Sequence, residues 1–190
     1  MFASQIWASP IWLSVRVALI ATVLAVVLGI PIALWLARKN TWIRRIVEAV
    51  VAAPIVIPPT VLGYYLLTNL GRRSAFGRTW ERIFGGPLVF TVTAAVVAAT
   101  VSSLPFFVRG ARAAIADVNK LTVEAARVLG LRRFALASSI TLPLARRGLA
   151  AATGLAFARA LGDFGVTLMV AGDIPGRTRT APIAIYSDVQ

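Results

Sequence analysis

Charge is missing from long stretches of this chain, and that absence limits what it can fold into. Val17–Ala37 carries no Asp, Glu, Lys or Arg, and neither do Ala49–Leu70 and Ile83–Val108. A fourth run, Gly148–Gly172, is interrupted only by Arg159 and Asp163. Each run reaches the roughly 20 residues that a helix needs to cross the hydrocarbon of a bilayer. A segment of that length in lipid satisfies its own backbone hydrogen bonds only as a helix. The expected fold is therefore all-α, a polytopic helical membrane protein of one domain over residues 1–190. Its spans fall at about 15–37, 49–70, 84–108 and 148–172, with a polar segment at 109–147. An apolar fraction of 58% agrees, because a soluble domain needs more polar residues to cover its core.

The basic residues collect between the spans. Arg38, Lys39, Arg44 and Arg45 follow the first, and eight more lie between Arg109 and Arg147. On alternating spans these twelve share one side. The other side has six, four in a short loop after span two (Arg72, Arg73, Arg78, Arg82) and two in the tail (Arg177, Arg179). The positive-inside bias puts the twelve in the cytoplasm and the N-terminus outside. A net charge of +13 distributed this way sets membrane orientation and does not describe a nucleic-acid face. No basic residue precedes Arg16, so a cleavable signal peptide is not expected. The chain has no Cys and no His, which excludes thiolate nucleophiles, disulfides and histidine acid–base chemistry. Arg159 and Asp163 are the only charges at membrane depth. An Asp paired to an Arg is held as the anion and is a poor general acid, so no catalytic residue and no bound metal is expected.

Three local features qualify the spans. Pro58 and Pro59 remove two backbone donors in span two, so the helix bends or breaks there. The bend is either a packing kink or the lining of a wet cavity beside a solute path. Ala95, Ala99 and Ser103, and likewise Ala150, Gly154, Ala158 and Gly162, recur every four residues; such stripes let helices approach closely and are expected to pack within the subunit. Arg159 and Asp163, at i and i+4, can pair on one helix face. That pair is either a self-neutralising structural tie or a source of positive potential on an anion route.

Between spans three and four the chain reads Glu124-Ala125-Ala126-Arg127, then Gly130, then Ile140-Thr141-Leu142-Pro143. Thr122 is a fair N-cap, and Glu124 in the first turn would suit the helix dipole. Gly130 is a natural stop, and Leu142-Pro143 is expected to close the segment before the next helix. The result is a short cytoplasmic helix with a bare alanine face, suited to a groove on another protein.

The Glu-Ala-Ala, Gly, Ile-x-Leu-Pro pattern resembles the cytoplasmic motif of permease subunits in bacterial ABC importers. Ala53–Pro59 with Gly63–Leu67, Phe157–Gly165 with Thr167–Gly172, and Ile174–Thr180 with Ile185-Tyr186 resemble molybdate permeases of that family in particular. Asp163 stands where that family more often has glutamate. The resemblance implies a permease that moves molybdate across a bacterial inner membrane, or a related oxyanion (tungstate, sulfate or thiosulfate). It implies an ABC ATP-binding subunit as a partner, docked on Glu124, Ala125, Ala126, Arg127, Gly130, Leu142 and Pro143. It also implies a periplasmic or lipid-anchored molybdate-binding protein and a second permease copy. Pro58, Pro59, Arg159 and Asp163 are the candidates for the translocation path. This chain contains no phosphate-gripping Gly-rich loop, so ATP and Mg belong to the partner. The family usually continues into a fifth membrane helix after the tyrosine-containing segment, and that helix is expected beyond Gln190.

Overall fold

The structure, a computed structural model, describes residues 10–38 and 41–189. Lys39 of the first basic loop and the residues before Pro10 lie outside them. The described residues contain helices and no strand. Two helices, α1 (Pro10–Leu36) and α5 (Val92–Ala116), are each long and apolar enough to cross a membrane. Two further crossings are made if each of two bent pairs counts as one span. The first pair is α2 (Trp42–Val56) and α3 (Pro59–Leu70), bent by 111°; the second is α9 (Arg146–Leu161) and α10 (Gly165–Ala171), bent by 56°.

The bundle packs small residues against one another and turns larger apolar ones outward. α1 turns Ser14, Ala18, Ala21, Ala25, Gly29 and Ala33 inward and leaves Leu19, Val23, Val27 and Leu28 exposed to lipid. Lipid is as apolar as leucine, so helices associate here by close backbone contact. Gly29 admits the Phe107 ring, and a β-carbon there would lie 2.4 Å from it. Gly110 and Gly148 of the α5–α9 seam abut Ala152 and Ala114 in the same way.

Of the two small-residue stripes, Ala95, Ala99 and Ser103 are buried in the subunit as expected. Ala150, Gly154, Ala158 and Gly162 are not; all four are exposed. The inward face of α9 is Ala152, Ala156 and Ala160. An offset of two residues turns roughly 200° on a helix, so the second stripe looks away from the bundle.

Core clusters order the two ends. Leu13, Val17, Leu70, Val92 and Val170 mark one end, and Ala33, Ala37, Ile115, Val118 and Ala145 mark the other. The third span sits eight residues further along than expected, at 92–116 instead of 84–108. Gly85, in the left-handed conformation, ends a separate helix α4 (Ala75–Phe84), where the sequence suggested a loop. Thr91 then caps α5 by accepting a hydrogen bond from the Ala94 N–H at 3.2 Å. The alanines after Arg109 carry α5 on to Ala116. Span two likewise starts earlier, at Trp42, and is a sharp corner instead of a straight run.

The segment beyond α5 holds α6 (Lys120–Val128), α7 (Arg133–Leu136), a π turn (Ala137–Thr141) and α8 (Leu142–Leu144). Leu142-Pro143 does not close this segment. Leu142 is helical, and α7 through α9 form a nearly continuous stem. The widened π turn makes room for the proline ring, and the Leu142 N–H reaches the Ala137 carbonyl five residues back. A last helix, α11 (Ala181–Asp188), is tied to the start of α1 by the Ala181 N–H, which donates to Ser14 Oγ at 2.6 Å.

Candidate functional site

The two helix breaks lie side by side. Pro58 and Pro59 have no N–H to give, so α2 ends at Val56 and α3 starts at Pro59 on a new axis. Gly165, the first residue of α10, faces Pro59, and a β-carbon on it would stand 2.9 Å from the proline Cβ. One turn on, Gly63 meets Met169, with 2.7 Å left for a β-carbon. Leu62, Ala98 and Val166 fill the core beneath. Only glycine at 63 and 165 lets the two broken segments run this close.

Asp163 sits in the second break and is 3% exposed. Its Oδ1 accepts from Arg159 Nη1 at 3.0 Å. Its Oδ2 accepts from the Thr167 N–H at 3.1 Å and from Thr167 Oγ1 at 2.6 Å. The expected pair therefore forms, although Asp163 lies past the end of α9 and also secures the first turn of α10. Three donors on one buried carboxylate are what its charge requires at this depth. The Arg159 side chain is 26% exposed, so its remaining N–H groups are not sealed in the core. Its Cζ lies 6.0 Å from the ring centroid of Phe106, near the middle of α5, which places the break at mid-depth in the bundle. Pro58, Pro59, Arg159 and Asp163 thus gather around one pair of breaks. Irregular backbone at such depth is tolerated where it packs in protein or lines a wet cavity.

The second candidate region projects from the opposite end to α4. α6 is capped by Asn119, whose Oδ1 accepts from the Leu121 N–H at 2.9 Å, and not by Thr122. The helix starts three residues earlier than the sequence suggested, so Glu124 is its fifth residue and lies outside the first turn. Gly130 does stop it. With φ of 83°, it lets its own N–H reach the Arg127 carbonyl and the Leu131 N–H reach the Ala126 carbonyl, at 2.9 and 3.2 Å. Of the expected alanine face only Ala125 is exposed, Ala126 being buried.

What projects instead is apolar: Leu121, Val128 and Leu129 are 73, 88 and 80% exposed. Leu121, Ala125 and Val128 are spaced i, i+4, i+7 and share one face. That spacing is legible in the sequence itself. Leu142 and Pro143 sit apart on the stem, where Pro143, Leu144, Arg146 and Arg147 line a shallow hollow of about 440 Å³. A further feature is the ion pair of Glu48 on α2 with Arg112 on α5, which holds the start of the bent pair against the bundle. Its signal was that Glu48 is the first acidic residue in the chain. Among the described residues, no three acidic, His or Cys side chains converge as a metal site would need.

Two long apolar helices and two broken ones around a common core define a polytopic helical membrane protein. The chain belongs to the family described as binding-protein-dependent transport system inner membrane components, which matches residues 29–190, and within it groups with molybdenum permeases. It is 39% identical over 182 residues to the molybdenum transport system permease protein ModB of Azotobacter vinelandii, covering 96% of this chain and 80% of that one. It is 39% identical over 190 residues to the ModB protein of Escherichia coli K12, covering 98% and 83%. A putative molybdenum transport system permease of Bacillus subtilis is 39% identical over 178 residues, covering 94% and 78%.

Proposed function

We propose that this chain is the molybdate-conducting subunit of an ATP-driven importer in a bacterial inner membrane. The observation that carries the reading is the likeness to molybdenum permeases along nearly the whole chain. The chain performs no covalent chemistry and binds no cofactor. ATP and Mg reside on a separate ATP-binding subunit, which receives the exposed ridge of Leu121, Ala125 and Val128 in a groove, with Glu124 and Arg127 at its rim. Leu142 and Pro143 belong to the stem behind it. A binding protein delivers the oxyanion on the other side, where the N-terminus lies, and two permease copies enclose the path. Arg159, held by Asp163 next to the Pro58-Pro59 corner, supplies positive potential along that path. Closure of the ATPase then biases the bundle between two packings.

Transport of a related oxyanion is the competing reading, since a weakly binding pore leaves selection to the binding protein. The test is uptake of labelled molybdate, tungstate and sulfate by vesicles holding the permease with its ATP-binding and binding-protein partners. ATP-dependent molybdate uptake is expected to exceed sulfate uptake. Preferred sulfate or tungstate uptake would change the substrate, and no ATP-dependent uptake of any of the three would refute the importer.

A further inference from the structure

α4 is a ten-residue helix whose sequence is sharply divided. Phe76, Trp80, Ile83 and Phe84, at i, i+4, i+7 and i+8, form one face. Arg78, Glu81 and Arg82 form the other, with Thr79 on the flank between them. Among the described residues little covers the apolar face, Phe76, Ile83 and Phe84 being 55, 68 and 63% exposed and Trp80 partly so. Trp80 and Phe84 stack on each other with centroids 4.0 Å apart.

A helix this short is marginal in water unless its apolar face is covered. Yet this one is built to persist. Ser74 caps it by accepting from the Gly77 N–H at 2.8 Å, and Gly85 ends it in the left-handed conformation. Gly77 lies so close beneath the end of α3 that a β-carbon would come within 2.1 Å of the Gly71 oxygen. The helix is therefore fixed to the bundle at one edge while its aromatic face stays exposed among the described residues.

Position and charge identify what covers it. α4 follows Leu70, at the bundle end marked by Val17, Val92 and Val170, where the uncharged run of α3 gives way to Arg72 and Arg73. Four arginines surround it against a single glutamate, and Glu81 is occupied by Arg72 at 2.9 Å. Arg73, Arg78 and Arg82 are exposed, and no acidic partner holds them among the described residues. Aromatic side chains on one face and basic ones on the other, at a membrane boundary, match an interfacial helix on anionic lipid.

We propose that α4 lies in the membrane surface opposite the α6 knob, its aromatic face among the upper acyl chains and its arginines on anionic phospholipid headgroups. This accounts for four arginines on the side that the positive-inside bias leaves poor in basic charge. It also anchors the far end of the broken α2–α3 pair at a fixed depth.

The chain has no cysteine, so a single one can carry a fluorophore. Full-length Ile83→Cys and Arg78→Cys variants are labelled and reconstituted in phosphatidylcholine vesicles containing brominated phosphatidylglycerol or brominated phosphatidylcholine. Quenching is expected to be strong at 83 and weak at 78, and at 83 stronger with the phosphatidylglycerol. Adding Arg78→Gln and Arg82→Gln should remove that preference, by up to roughly fivefold per arginine. Equal quenching at 78 and 83, or none at 83, overturns the membrane seat. Equal quenching by the two lipids overturns the anionic preference. Loss of quenching at 83 with energy transfer between two labelled copies would mean that a second chain covers the face. The position-83 measurement uses no arginine variant, so it decides even if those variants insert poorly.

Discussion

Removing the Arg159 side chain, as in Arg159→Leu, should strip Asp163 of its only cationic partner among the described residues. The carboxylate is buried, with 1% of its side chain exposed, and would keep only the two donors of Thr167. Breaking one side of a buried pair costs about 3–5 kcal/mol, because the surviving charge is left uncompensated. Arg159 is partly open to solvent, so the lower end of that range applies. The Asp163→Asn change should cost less, since an amide oxygen can still accept from Thr167 while Arg159 turns toward solvent. Combining the two removes both charges, and the double variant should recover most of the loss, giving a coupling of about 2 kcal/mol or more. The assay is a double-mutant cycle on the purified permease, unfolded by rising detergent denaturant and followed by helicity. If Arg159→Leu costs about 1 kcal/mol or less, or the two changes simply add, the pair behaves like a surface contact and the reasoning fails. Uptake separates structure from conduction: a double variant that is stable yet transports poorly would place Arg159 on the anion path, whereas restored transport would make the pair purely structural.

Gly63→Val should destabilise by about 1–3 kcal/mol, because its new methyls meet Met169. Gly154→Ala, with nothing within 4 Å, should be neutral or stabilise the isolated chain by about 0.5–1 kcal/mol; denaturation curves of the two variants check the contrast. At the knob, Val128→Glu or Glu124→Lys should abolish capture of the ATP-binding subunit and uptake while membrane insertion persists, and undiminished uptake would remove α6 from the coupling. Asn119→Ala should fray the first turn of α6 at a cost of about 1 kcal/mol, read as faster amide exchange at residues 120–123. Spin labels at Arg133 and Leu155 should keep their separation through the ATP cycle while labels at Leu155 and Arg177 change theirs, and a change confined to the first pair would mean that the stem bends.

The apolar runs announced the fold because the bilayer allows so few solutions to a long uncharged segment. Prolines 58 and 59 announced a break for an equally local reason. What stayed hidden depends on three-dimensional neighbours. Nothing in the spacing of Ala150 and Gly154 says which of two small-residue stripes faces α5, since both satisfy the same rule. The depth of Asp163 at a helix end, with Thr167 as a second partner, required the chain to turn after Leu161. Leu142-Pro143 looked like a boundary because proline usually is one; the π turn that absorbs it has no signature of its own. The knob was legible as a helix stopped by Gly130, but attention to its alanines concealed the larger apolar residues that project from it.

The proposed transport role gains a mechanical basis from the stem. From Arg133 to Leu161 the chain is helical with one widened turn, roughly 40 Å at 1.5 Å per residue. One end carries α6, tethered through the short Gly130–Arg132 connection; the other ends at the break that Asp163 secures. A force on α6 therefore has two soft places to act, the π turn and the break. The π turn retains its backbone bonds and is followed directly by helix, whereas the break abandons them for side-chain donors on one carboxylate. The break is the weaker of the two, and it adjoins the Pro58-Pro59 corner through Gly165. Displacement begun at the knob is thus delivered to both broken helices together, at the depth where Arg159 lies.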